Sequence, residues 1–276
     1  MQKSGDPPRA AHRAANDLRA SAATESMPLP VREIGPADLR AALAAGIADF
    51  RAMPSHLVLL CIIYPIAGLF LARLTASYDI FPLLFPLMAG FALVGPFAAL
   101  GLYEISRRRE RGENPSWQDA FAVLRSPSIG GIVSLGVLLL GIFMAWLWTA
   151  LLLYRLTFGD APVTSLSGFL AEVLTTPHGW ALIVLGNGIG FLFALVAFAV
   201  SVVSFPLLLD READAMTAVR TSIAAVRQNP RTMALWGLIV AGLLVLGTLP
   251  VFVGLVLVIP VLGHATWHLY RRVVPR

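Results

Sequence analysis

Six long apolar runs fill most of the chain after Ser55: Ser55–Ala72, Ile80–Tyr103, Ile129–Tyr154, Gly179–Leu209, Thr232–Leu249 and Val251–Tyr270. A bilayer core about 30 Å thick takes about 20 residues of helix. Inside it, backbone groups left without partners forbid most other spanning forms. Composition agrees, with 57% hydrophobic and only 13% charged residues, where a soluble domain carries about 25% charged. The pattern predicts an all-α polytopic membrane protein with six transmembrane helices. The first and fifth runs are short. The fourth is long enough to tilt or to extend past the bilayer. The fifth and sixth meet at Pro250 as a tight helical hairpin would.

Charge placement gives the orientation. Lys3, Arg9, Arg13, Arg19, Arg32, Arg40 and Arg51 precede the first run, and Arg107, Arg108, Arg109, Arg111 and Arg125 fill the second loop. Arg211, Arg220, Arg227 and Arg231 fill the fourth loop, and Arg271, Arg272 and Arg276 close the chain. The alternate loops hold Arg73 and Arg155 alone, so 19 basic residues fall on one side and 2 on the other. By the positive-inside rule both termini are expected in the cytoplasm. Residues 1–30 lack an apolar signal core and read as a disordered cytoplasmic tail. Residues 31–276 read as the membrane domain. The single cysteine, Cys61, makes neither an internal disulfide nor a CxxC pair.

Three amphipathic segments precede spans and end in arginine and proline. Ala37–Arg51 places Leu39, Leu43, Ile47 and Phe50 on one face, Trp117–Arg125 places Trp117, Phe121 and Leu124, and Ala213–Arg227 places Met216, Val219, Ile223 and Val226. Spacings of three and four predict helices lying in the membrane interface, with arginines toward headgroups. Each is followed by two spans, so the chain reads as a threefold repeat of interfacial helix plus hairpin. Glu104 with Arg107 and Arg108 follows Pro96 at the spacing by which His268 with Arg271 and Arg272 follows Pro260. Phe169, Leu170, Val173 and Leu174 suggest one more surface helix on the outer side.

Three motifs resemble a family. The stretch Gly95-Pro96-Phe97-Ala98-Ala99-Leu100-Gly101-Leu102-Tyr103-Glu104-Ile105-Ser106-Arg107-Arg108 resembles a signature of domain of unknown function 2189, a bacterial family of integral membrane proteins. Ser204-Phe205-Pro206-Leu207-Leu208-Leu209-Asp210-Arg211 and Gly263-His264-Ala265-Thr266-Trp267-His268-Leu269-Tyr270-Arg271-Arg272 are similar to its second and third signatures. The likeness runs from about Val31 to the C-terminus. It implies a bacterial inner membrane and no activity. Some members are labelled cytochrome c oxidase subunits. A haem–copper catalytic subunit needs histidines converging from several helices, whereas this chain has five. His12 lies in the tail, His178 at the outer surface, and His264 and His268 on one helix face, so they do not bracket one iron.

The candidate polar cluster gathers at cytoplasmic helix ends: Glu104, Asp210, His264, His268, Arg107 and Arg108. An ionisable group in a span is a functional hypothesis by default. Near the interface, an ion-pair network that fixes helix depth is the commoner use, and a pocket binding an anion or relaying a proton is the sharper one. His56 begins the first span at the depth where His268 ends the sixth, and two such histidines on facing helices can ligate a haem or metal. Asn187, between Gly186 and Gly190, reads as helix-packing glue. Pro65, Pro82, Pro86, Pro96, Pro206 and Pro260 are expected to kink their helices.

The sequence holds no GxxxxGK[ST], HExxH or GxSxG motif and no GxGxxG after a strand. No enzyme activity is expected, and no cofactor. Expected partners are the bilayer, its anionic headgroups through Arg107–Arg111, and other membrane proteins or further copies of the chain; nucleic acid is not expected. The leading functional expectation is a non-catalytic scaffold or accessory subunit. A carrier or channel for a small solute or lipid, with Glu104, Asp210 and His268 lining a polar pocket, stands second. A haem- or metal-holding protein using His56, His264 or His268 stands third.

Overall fold

A computed structural model describes residues 27–53, 81–160, 163, 165–249 and 253–276. Regular structure among them is helical throughout. In chain order come α1 (Pro36–Ala52), α2 (Phe81–Ala98), α3 (Leu100–Glu110), a 3-10 helix (Trp117–Arg125), α4 (Ile129–Phe158) and α5 (Leu166–Thr175). There follow α6 (Pro177–Ser201), α7 (Ser204–Asp210), α8 (Ala215–Gln228), α9 (Pro230–Thr248) and α10 (Leu255–Val273). Local sequence starts them. Pro36, Pro177 and Pro230 open α1, α6 and α9, where the missing N–H costs nothing. The Thr176 hydroxyl accepts from Gly179 N at 3.1 Å, Ser165 from Gly168 N at 3.1 Å, and the Asp214 carboxylate from Thr217 N at 2.9 Å.

Three helices among the described residues are long and apolar enough to cross a membrane: Ile129–Phe158, Pro177–Asp210 and Pro230–Thr248. Six were expected. The first run, with His56 and Cys61, lies outside the described residues, as do most of the N-terminal tail and Pro250. The second run is divided, because α2 stops at Ala98 and α3 resumes at Leu100. Pro96, just upstream, has no N–H to give the helix ladder. The fourth run breaks in the same way at Val202–Val203, opposite the donor that Pro206 lacks. The sixth starts at Leu255, and its second half carries His264, His268, Arg271 and Arg272, so only its first half is span-like.

The spanning helices are apolar on both faces. On α4, Ile132, Leu135, Leu139 and Trp146 are buried, while Val137, Trp148 and Leu156 are 63%, 72% and 75% exposed. Large apolar side chains pointing outward at this density suit a lipid solvent, not water. α4 packs between α2 and α6, and α1 lies along α10. An added Cβ on Gly46 would sit 2.6 Å from Ala265 N, so α1 and α10 touch backbone to backbone there.

This contact rotates the buried face of α1. Leu39, Ala42, Gly46 and Asp49 are buried and Ile47 is exposed, whereas the sequence pointed to Leu39, Leu43, Ile47 and Phe50. α8 does likewise, burying Thr217, Ala218, Thr221, Ser222 and Ala225 while Met216 is exposed. In the 3-10 helix Val123 is buried, and Trp117, Phe121 and Leu124 point out. Small residues face the bundle because they allow the closest approach. The extended segment before α1 is pinned by hydrogen bonds. Leu29 N donates to Thr221 Oγ1 at 2.9 Å, Arg32 N to Val273 O at 2.8 Å and Ile34 N to Asn229 Oδ1 at 2.8 Å.

Candidate functional site

The ionisable side chains singled out in the sequence lie at one end of the bundle, where α1, α3, α7 and α10 meet. They form three adjoining groups there.

The first centres on Glu104, which is 1% exposed. Arg107 donates to it through Nε at 2.7 Å and Nη2 at 3.0 Å, and Arg108 through Nε at 2.8 Å. These are the one-turn pairs that helical spacing favours. Both arginines reach further. Arg107 Nη1 donates to Leu209 O at 3.0 Å, serving a carbonyl in the last turn of α7. Arg108 Nη1 donates to Asp119 Oδ1 at 2.8 Å, tying down the 3-10 helix. Arg108 Nη1 also stands 3.7 Å from Glu113 Oε2, so two guanidiniums face three carboxylates here.

Asp210 anchors the second group. Its Oδ2 accepts from the Tyr270 hydroxyl at 2.7 Å and from Arg271 Nη1 at 2.9 Å. Arg271 Nε also donates to Glu110 Oε1 at 3.1 Å. Arg276 donates to that oxygen at 2.6 Å, and Trp267 Nε1 to Glu110 Oε2 at 3.2 Å. Partial burial pushes the Glu110 carboxyl up, but hydrogen bonds from Arg276, Arg271 and Trp267 and the charge of Arg271 hold it below its ordinary value. Arg271 therefore joins α3, α7 and α10, with two acids facing two arginines.

The third group holds the histidines, and its centre is Asp49 of α1. The Ser106 hydroxyl donates to Asp49 Oδ2 at 2.6 Å, and His268 Nε2 lies 2.9 Å from the same oxygen. Ser106 Oγ also meets His264 Nδ1 at 2.8 Å. A hydroxyl has one hydrogen. With that hydrogen on Asp49, Ser106 accepts from His264, which fixes the His264 proton on Nδ1. A hydrogen-bonded chain thus runs from fully buried His264 through Ser106 and Asp49 to part-exposed His268. Arg109 Nε stands 3.6 Å from Asp49 Oδ1, and its Nη1 donates to Asp49 O at 3.1 Å, capping the negative end of α1. Burial pushes the Asp49 carboxyl up. The hydrogen bonds from His268 and Ser106 and the nearby imidazoles outweigh it and hold the carboxyl below its ordinary 3.8.

Among the described residues no group of three or more His, Cys, Asp or Glu side chains is placed to hold a metal ion. The histidine chain is linear, joined through a serine, and does not converge on a point.

The structure brings Glu104, Arg107 and Arg108 together as one unit, seats Asp210 beside them through the Leu209 carbonyl, and sets His264 and His268 on the opposite side of α3. Arg271, noted in the sequence beside His268, joins the second group; Asp49, Ser106, Glu110 and Tyr270 complete the three groups and were not singled out in the sequence. Of the glycine–asparagine stretch, Gly186 and Gly190 face α4: an added Cβ would lie 3.7 Å from Leu153 and 2.9 Å from the Trp146 ring. Asn187 lies to the side of that face, is exposed, and donates through Nδ2 to Ile183 O of its own helix at 2.8 Å.

The segment from α2 to the end of α7 contains the Glu104 group, the Asp210 carboxylate and two of the three described apolar helices long enough to span. Residues 84–210 match the family DUF2189, described as a predicted integral membrane protein. The chain is accordingly an integral membrane protein. The DUF2189 match includes Glu104, Ser106, Arg107, Arg108, Glu110 and Asp210. The groups that complete the second and third clusters, on α1 and α10, lie outside it. No curated protein and no solved structure matches the chain.

Proposed function

We propose that this integral membrane protein is a non-catalytic scaffold or accessory subunit of a bacterial inner membrane. In this reading it spans six times, both termini are cytoplasmic, and its three short amphipathic segments lie at the cytoplasmic face. The observation that carries the proposal is the commitment of the acidic side chains at the polar end. Glu104, Glu110, Asp119 and Asp210 are each joined to arginine, in groups whose bonds cross from helix to helix. Such groups fix helix positions and commit these carboxylates to arginine rather than to a solute. The outward-facing Trp117, Phe121, Leu124 and Met216 support an interfacial position for the 3-10 helix and α8.

Two measurements on gently extracted protein test this. Native mass spectrometry is expected to show the chain with another membrane polypeptide in fixed ratio. Proteoliposomes are expected to give no solute-driven current. A chain without a partner polypeptide overturns the scaffold reading.

One observation favours the carrier reading: the chain His264–Ser106–Asp49–His268 joins a buried imidazole to a part-exposed one, an arrangement able to pass a proton. Current driven by a pH gradient and abolished by Ser106→Ala would establish it in place of the scaffold.

A further inference from the structure

Asn187 is out of place for a lipid-facing residue. It lies ten residues into α6, about 15 Å along the axis at 1.5 Å per residue, near the middle of a bilayer core about 30 Å thick. Its side chain is exposed. One N–H goes to Ile183 O. Among the described residues the other N–H and the Oδ1 acceptor have no protein partner. A bare amide edge in hydrocarbon is costly, and lipid tails offer it nothing.

The residues around it are ordered. Trp180, Val184, Asn187, Phe191 and Ala194 follow one another at spacings of four, three, four and three, and all are exposed. That is the spacing a left-handed helix pair uses along its seam, on the row of the exposed face that carries the amide. Gly188 beside the amide opens onto empty space, which lets a second backbone come close. Gly186 and Gly190, about a quarter turn round α6, mark the face that α4 occupies, so the seam is a neighbouring face of the same helix.

We propose that this seam pairs with the same seam of a second copy of the chain, the two Asn187 amides bonding reciprocally across a twofold axis normal to the membrane. Two copies inserted alike lie parallel, so on such an axis a residue meets its own counterpart at its own depth. A charged group would repel itself there. An amide carries a donor and an acceptor side by side and is complementary to itself. A single polar residue in an apolar heptad seam is also the device that fixes register and copy number. The pairing holds whether the chain acts as scaffold or carrier, so it stands apart from that choice.

Disulfide cross-linking of the full chain in native membranes tests it. Cys61→Ser supplies the background, and Val184→Cys, Phe191→Cys or, as a control on the exposed face of α9, Val245→Cys is added singly before oxidation with copper–phenanthroline. Val184→Cys and Phe191→Cys are expected to give a band of twice the chain mass, and Val245→Cys none. Adding Asn187→Leu to Val184→Cys should lower the dimer yield about 3- to 30-fold, the range for an interhelical hydrogen bond in a membrane. Asn187→Gln should keep it within about twofold, on the same scale. Among the described residues the Asn187 side chain hydrogen-bonds only within its own helix, and Asn187→Gln, which keeps the amide, controls for any effect on the fold. Val184→Cys and Phe191→Cys staying monomeric, cross-linking no better than Val245→Cys, or ignoring Asn187→Leu would each overturn the proposal. So would a cross-linked band heavier than one chain but not twice its mass, since another polypeptide would then hold the seam.

Discussion

Asp49→Ala removes the one residue through which α1 is tied chemically to α3 and α10 together. Its carboxylate accepts from Ser106 at 2.6 Å and from His268 at 2.9 Å, and hydrogen bonds to a charged group contribute about 1.5–3 kcal/mol each. Both bonds are lost together, so a loss of about 3 kcal/mol is the low end. In a chain of this size each kcal/mol moves the midpoint by about 2–4 °C, giving a fall of about 6–12 °C. Thermal unfolding of detergent-solubilised protein, followed by tryptophan emission, reads this directly, since Trp236 and Trp267 are buried. Ser106→Ala should cost less, and the double variant should cost less than the sum, because the two residues share a bond. pH supplies a second readout. The Asp49 carboxyl titrates below its ordinary 3.8 in the folded protein, so its stabilisation is complete at neutral pH and drains away as pH falls through 3.8 toward the folded value. Asp49→Asn has no carboxyl to protonate and should flatten that acid limb. A midpoint fall under about 2 °C for Asp49→Ala, less than one kcal/mol on the same scale, would refute the reasoning. So would an unchanged acid limb in Asp49→Asn.

Glu104→Gln leaves two guanidiniums around a neutral amide that is nearly out of solvent. It should cost about 3–5 kcal/mol in the same melt, and the loss should persist in high salt because buried pairs are poorly screened. Gly46→Ala drives a Cβ to 2.6 Å from the Ala265 backbone and should cost about 1–3 kcal/mol or more. Gly263→Ala meets Leu102 Cδ1 at 2.5 Å and its Cβ at 3.1 Å; the side-chain tip can turn away, so it should cost less than Gly46→Ala, whose clash is with backbone. Asn229→Ala deletes the side chain that accepts from Ile34 N and donates to Arg32 O; limited trypsin digestion should then cut after Arg32 sooner than in the parent.

The helical class was legible because apolar length and period carry it, and so was the Glu104 pairing, since Arg107 and Arg108 stand one turn away. The partners of Asp210 were not. Tyr270 and Arg271 lie sixty residues on, and only the meeting of α7 with α10 makes them neighbours. Asp49 was hidden for a different reason. It sits in a helix whose large apolar residues suggested one face, whereas its contact with α10 is set by small ones. The usable signal was the stripe Leu39, Ala42, Gly46 and Asp49, spaced three, four and three, in which small residues mark a close approach and the acid continues the line. Asn187 shows the reverse. Its glycine neighbours do mark a packed face, but the asparagine lies about 100° round the helix from Gly186 and so misses it.

Two kinds of adhesion hold the helices, and they act at different depths. Inside a bilayer the hydrophobic effect gives helices no reason to prefer each other over lipid, so close packing must supply it. The described spans do this with aromatic rings set on glycines. An added Cβ on Gly90 would come 2.3 Å from the Phe143 ring, on Gly136 2.9 Å from Phe97, and on Gly190 2.9 Å from Trp146. At the polar end, where water returns, charge takes over: Arg107 reaches α7, Arg108 the 3-10 helix, Arg109 α1 and Arg271 both α3 and α7. Four arginines thus bind the ends of helices whose spans are held by ring and glycine. The arginine clusters that the positive-inside rule counts and those that lock the helix ends are largely the same residues. Under the proposed topology, replacing Arg107–Arg109 with neutral residues is therefore expected to weaken orientation and rigidity at once, read by cysteine accessibility from the two sides of the membrane and by the thermal midpoint.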